Sequence, residues 1–317
     1  MKSLCFKSFL GCLLFMSQLS CAGYFGDITH YYLENQPQNL TIIDMVGFKK
    51  EKFQGQSISE LSDLAWDHQH QKLMVINDKG RLFHFEFIFN KYKIKSIKPI
   101  FVTQLKDKKG KPLRKNNKDS EGLLLRQKKG QTELVISFEK KAKVVRFTPQ
   151  GDWIKAIKLP TPLNKDKNYI EANKKLEAIT LHPKYGLISA PEYPLKKKNK
   201  QRHTLYSLDG KHQWSFMASA RRDSGITALE ITPKGNILVL ERAWQKKKAL
   251  LTIDLKEVVL LAKGKTKVKM LAHFSSDQDW PIDNFEGLTR LNNNFYLMVS
   301  DDGKTALQQT LFMLFRL

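Results

Sequence analysis

LSDLAW (61–66), DSEGLLL (119–125), KLEAITL (175–181), SGITALEI (224–231) and NFEGLTRL (284–291) are five variants of one phrase. Aligned by their apolar residues, they bring Asp63, Glu121, Glu177, Thr227 and Glu286 to one position, at separations of 58, 56, 50 and 59 residues. Self-similarity at a fixed period of this size is the mark of a repeat architecture, and it decides the fold before any single element is assigned.

Outward from each phrase, a short turn leads to a second apolar run, as in KLMVIN (72–77), ELVISF (133–138), NILVLER (236–242) and NFYLMVS (294–300). Val, Ile and Phe dominate these runs, or apolar and polar residues alternate, as in buried and half-buried strands. Each second strand reaches an acid: Asp78, Glu139, Glu192, Glu241, and Asp301 with Asp302. Two further strands follow in most repeats, for example RLFHFEF (81–87) and ALLTIDL (249–255). Four strands in 50 to 59 residues make a propeller blade. The expected fold is therefore all-β, a single β-propeller of four-stranded blades over residues 23–317. The count gives five blades, or six if one region holds a degenerate blade. The fifth repeat reaches Leu317 after about three strands, and LTIIDMVGF (40–48) is expected to close the ring beside 310–316. Closure removes open sheet edges. An irregular β-sandwich is the competing arrangement, but it gives no reason for five equally phased positions.

Residues 1–22 differ from the rest. Lys2 and Lys7 frame an apolar run from Phe9 to Phe15, and Ser20-Cys21-Ala22 supplies small side chains at cleavage spacing. This is the form of a secretory signal peptide, and the apolar run is too short for a bilayer. Export to the periplasm or medium is expected, with no transmembrane segment in the mature chain. All three cysteines, Cys5, Cys12 and Cys21, lie in this segment, so its removal eliminates disulfides and thiolate chemistry together. Lipidation at Cys21 is the alternative, although Gln18 stands where a lipoprotein signal usually has Leu.

Lys and Arg number 54 against 31 Asp and Glu, a net charge of +23, or 23 − 2 = +21 without residues 1–22. Such a surface attracts phosphate esters, anionic headgroups or nucleic acid. Export and the absence of a nucleic-acid motif argue against the last. Lysines cluster at 106–118, 196–200 and 246–248, either as solvated loop faces or as anion-steering patches. No Gly-x-Ser-x-Gly, HExxH or CxxC occurs. Gly303-Lys304-Thr305 ends like a phosphate-binding loop, but Met298 stands where its first Gly belongs.

The acids are the remaining chemistry. The first strand of a propeller blade lies nearest the axis, so Asp63, Glu121, Glu177, Thr227 and Glu286 are expected to ring the channel. Carboxylates so placed either rise in pKa or share a cation, and oxygen-only ligands favour a hard ion such as Ca²⁺. The same acids could instead cap strand ends or pair with lysines. Asp78 in NDKG and Asp301 in SDDG could equally make turns.

The quoted phrases, together with NKKLEAITLHP (173–183) and LMVSDDG (297–303), resemble those of the phytase-like family, "esterase-like activity of phytase", over nearly all of residues 57–317. The chain departs from that pattern at Lys175 and Ala178, where Gly is common. The resemblance implies phosphoester or ester hydrolysis, with Ca²⁺ held by acidic side chains as in bacterial propeller phytases. The expected metal ligands are Asp63, Glu121, Glu177, Glu286, Asp78 and Asp301. Glu121, Glu177 and Glu286 are expected to be ligands or the general base, and Arg242 to bind phosphate. An anionic small molecule would be the substrate of a monomeric enzyme. The alternative is a non-catalytic propeller that binds an anionic polymer or envelope component.

Overall fold

A computed structural model describes residues 26–27, 36–49, 51–128, 130–219, 223–278, 280–303 and 308–317. The segment read as a signal peptide, with its three cysteines, lies outside the described residues. The described chain is all-β, without an α-helix, and forms five blades. Blade one runs outward through Leu61–Asp67, Lys72–Asn77, Arg81–Phe89 and Ile94–Gln104. Blade two comprises Ser120–Lys128, Gln131–Phe138, Lys143–Phe147 and Trp153–Ile157. Blade three comprises Leu176–His182, Gly186–Pro191, Arg202–Ser207 and Gln213–Met217. Blade four comprises Ser224–Ile231, Ile237–Gln245, Leu250–Leu260 and Thr266–Ser275. Blade five supplies Asn284–Arg290, Phe295–Asp301 and Thr310–Arg316, and takes Thr41–Phe48 as its fourth strand.

That fourth strand settles the closure. Thr41–Phe48 pairs antiparallel with Thr310–Arg316, from Thr41 opposite Arg316 to Phe48 opposite Thr310. Phe48 then stands edge-on to Phe312 of blade five and to Phe85 of blade one, each at 6.0 Å. One side chain from the start of the chain thus ties the last blade to the first. Burying a ring of this size contributes roughly 2–3 kcal/mol.

The core has the same fivefold logic. Apolar side chains on both faces of each sheet have blade neighbours to cover them, so the strands read as apolar runs rather than strict alternations. Five buried clusters result, one at each interface between adjacent blades, including the interface of blade five with blade one. The innermost strands touch in cyclic order around the axis. No helix of the described residues is long and apolar enough to cross a membrane.

Candidate functional site

Each blade opens with a register shift between its first two strands. In blade one it falls between the pairs Leu61–Asn77 and Asp63–Ile76, and in blade three between Leu176–Pro191 and Ala178–Ala190. Blades four and five repeat it between Ile226–Glu241 and Ala228–Leu240, and between Phe285–Ser300 and Gly287–Val299. Blade two shifts between Ser120–Phe138 and Leu123–Ile136. A bulge leaves its extra residue out of the ladder and re-aims the side chain. The bulged residues are Ser62, Glu177, Thr227 and Glu286, with Glu121 in the corresponding place of blade two.

This corrects the sequence alignment by one residue in blade one. Ser62, rather than Asp63, shares the phase of the glutamates. A second correction falls in blade four: the position matching Asp78, Glu139, Glu192 and Asp301 is held by Arg242, and Glu241 sits one residue earlier, opposite Ile226. Glu241 turns into a separate buried network, accepting from Ser224 Oγ at 2.7 Å and Lys256 Nζ at 2.6 Å.

Asp63 likewise serves the fold. Its Oδ1 accepts the N–H groups of Leu64 (2.8 Å) and Leu288 (3.1 Å), and its Oδ2 that of Leu123 (2.6 Å). One carboxylate therefore staples the inner strands of blades five, one and two, and it lies outside the acid cluster described next.

The bulges and second-strand ends converge at one end of the channel. Carboxylate oxygens of Asp119, Glu121 and Glu139 lie within 4.8 Å of one another, as do those of Glu139, Glu177 and Glu192. All five residues are buried. Asp119 is paired with Lys140 at 2.8 Å. Among the described residues, Glu177 Oε2 is a buried carboxylate oxygen with no hydrogen-bond partner. Asp78 adjoins this group and accepts from Ser62 Oγ at 2.8 Å.

The opposite side of the ring has cations of its own, Arg242 and Lys174. Arg242 donates to Glu192 Oε1 at 2.9 Å and to Glu286 Oε1 at 3.1 Å, and also reaches Asn284 Oδ1. Lys174 Nζ lies 2.9 Å from Glu192 Oε2. Asn284 Nδ2 bridges Glu286 and Asp301, and Asp301 Oδ1 accepts the N–H of Gly303 at 2.8 Å in its turn. Glu286 and Asp301 therefore sit on the arginine side, while Glu121, Glu139 and Glu177 form no ion pair among the described residues.

The electrostatics follow from that division. Burial, then repulsion from Asp78, Glu177 and Glu139, pushes the Glu121 carboxyl well above the usual range. Burial and then Glu192 and Glu139 do the same to Glu177. Glu139 is pushed up to about 8, by burial and then Glu192, and Asp78 to about 7, by burial and then Asp301. Burial raises Glu286 as well, against the opposing pull of Arg242. Such a cluster either holds protons near neutral pH or binds a positive ion.

Glu139, Glu192, Asp119 and Lys174 complete the cluster beyond the residues nominated from sequence. The first two were visible as second-strand acids, and Asp119 within DSEG. Lys174 belongs to no repeated phrase and carries no such signal.

No curated protein matches the chain. Among solved structures it aligns with the luciferin-regenerating enzyme at 9% identity, over 81% of this chain and 91% of that one, with a TM-score of 0.41. It also aligns with the Cps50 (Swd1) β-propeller domain of Myceliophteria thermophila at 10% identity, over 88% and 91% of the two chains, with a TM-score of 0.41. The family pattern described as "Phytase-like: Esterase-like activity of phytase" matches residues 56–304, from the hairpin before blade one to the turn after the second strand of blade five. With that match spanning every blade and the acid-bearing phrases of each, the chain belongs to the phytase-like family.

Proposed function

We propose that this protein is an exported, divalent-cation-dependent hydrolase of phosphoesters or esters, working at the carboxylate cluster. The observation that carries the reading is two groups of buried carboxylates that share Glu139, one with Asp119 and Glu121 and one with Glu177 and Glu192, in which Glu177 Oε2 has no hydrogen-bond partner among the described residues. The donor set is all oxygen, which fits Ca²⁺, and a loose carboxylate site suits the weak affinities typical of extracellular calcium sites. Glu139 would hold the ion together with Asp119 and Glu121 or with Glu177 and Glu192, with Asp78, Glu286 and Asp301 among the neighbouring acids. A bound divalent ion supplies neutralisation of phosphate oxygens and a more acidic water.

The remaining roles belong to the chain's own side chains. Asp78, pushed up to about 7, can exchange a proton near neutral pH and is the proposed general base. The side chain of Arg242 is 17% exposed and that of Lys174 is 27% exposed. Both take up the phosphate's residual charge while keeping Glu192 in place. The test is hydrolysis of p-nitrophenyl phosphate with and without chelator, alongside the metal content of the purified protein. Activity that is restored by Ca²⁺ and reduced at least about tenfold in Glu177→Gln supports the reading. A metal-free protein with no turnover under any added cation overturns it and leaves the second reading, a non-catalytic propeller that holds an anionic polymer or envelope component on its lysine-rich loops.

A further inference from the structure

The loop joining blade one to blade two forms a pocket of about 820 Å³ on the same end of the propeller as the acids. Six cations line it: Lys108, Lys109, Lys111, Arg114, Lys141 and Lys143. Among the described residues none of the six forms an ion pair. The lone carboxylate in the lining, Asp107, is committed to the turn, its Oδ1 accepting the N–H groups of Lys109 at 2.8 Å and Lys111 at 3.0 Å.

The loop is built rather than slack. Asp107 N donates to Lys111 O at 2.7 Å, Lys106 bridges Pro112, and Leu113 N donates to Leu105 O at 2.7 Å with its side chain buried in the blade interface. Lys143 is fixed too. Its Nζ donates to the carbonyl of Asn117 at 2.8 Å and lies 4.3 Å over the ring of Phe138. Burial, reinforced by Lys141, holds this ammonium down to about 8, as expected for a desolvated positive charge without a counter-ion. Leu113 and Trp153 floor the pocket. Lys140, adjacent in sequence to Lys141 of the pocket, pairs with Asp119 of the carboxylate cluster at 2.8 Å, so the two sites adjoin with opposite sign.

We propose that this pocket is a separate binding site for a phosphate-bearing polyanion, a chain whose charges recur at short intervals, which it holds without hydrolysing. Six unpaired cations spread over a fixed loop and a strand end match several phosphates better than one. Lys115, exposed in the same loop, adds a further positive charge beside the pocket. The assignment is independent of the carboxylate cluster, because it needs no divalent ion.

The test is titration of inorganic polyphosphate into the full chain in the presence of EDTA. Two charge-matched variants accompany it, Lys109→Glu with Lys111→Glu and Lys246→Glu with Lys247→Glu, and thermal melts check that both remain folded. The first variant should weaken binding at least about tenfold and flatten its salt dependence, while the second should change it less than about twofold. Equal losses in both would reduce the effect to net charge and overturn the site. Polyphosphate failing to bind would overturn it outright, as would binding only to phosphatidylglycerol vesicles, which would indicate a membrane surface instead.

Discussion

Arg242 Nη2 lies 2.9 Å from Glu192 Oε1, a contact across the interface of blades three and four made where the strand register would otherwise bring another acid to the axis. The same guanidinium reaches Glu286 of blade five, so one residue compensates acids of both flanking blades. Arg242→Gln should leave Glu192 with Lys174 alone and Glu286 with only its Asn284 hydrogen bond, and destabilise the metal-free protein by about 3 kcal/mol in urea unfolding. Added Ca²⁺ should recover part of that loss, because a divalent ion can replace the missing charge.

Asp63 is predicted to behave differently from the glutamates. Asp63→Ala removes the acceptor of three buried N–H groups from three blades and should cost about 3 kcal/mol or more. The increment in melting temperature on adding Ca²⁺ should stay at its wild-type value. A lost calcium response in a folded Asp63→Ala protein would return this residue to the ligand set.

Gly122 carries the close approach of blades two and three. A Cβ there would lie 2.5 Å from Ser137 Oγ and 2.6 Å from the carbonyl oxygen of Glu177, distances that force the Glu177 backbone to move. Gly122→Ala should therefore lower both stability, by about 1–3 kcal/mol, and calcium affinity. Isothermal titration on the folded fraction separates the two.

The carboxylate cluster sets a pH dependence of unusual sign. Its carboxyls have folded-state pKa values raised above their ordinary values, with Asp78 at about 7 and Glu139 at about 8. Between about pH 4 and 8 the folded protein therefore holds more protons than the unfolded chain, and stability falls as pH rises through that window. Chelator-treated protein should melt higher at pH 5.5 than at pH 8.5, and saturating Ca²⁺ should narrow the gap. A melting temperature that rises with pH in EDTA would contradict the assignment.

The repeat phrases made the architecture legible, because a period near fifty residues and an orphan strand at 40–48 leave few alternatives to a closed ring. The site was legible only to within one residue. Sequence alignment matched LSDLAW to DSEGLLL by apolar residues, but the bulge shifts the backbone, so Ser62 takes the glutamate phase and Asp63 turns to the strand amides. In blade four the same counting chose Glu241, whereas the ladder gives the axial position to Arg242. Bulges are set by backbone pairing rather than by composition, and a one-residue shift exchanges the two faces of a strand. Lys174 was invisible for another reason: it lies in an irregular connection with no counterpart in the other repeats.

The central claim, that the buried carboxylates grouped around Glu139 form a divalent-cation site, is tested most directly by the thermal melt of chelator-treated protein titrated with Ca²⁺, beside Glu177→Gln. At a hundredfold excess over the dissociation constant, linkage gives about 2.7 kcal/mol, a rise of roughly 4 °C in the wild type, and Glu177→Gln should show less than half of it. Wild-type protein melting at one temperature in Ca²⁺ and in EDTA would contradict the claim, as would a rise of equal size in the variant.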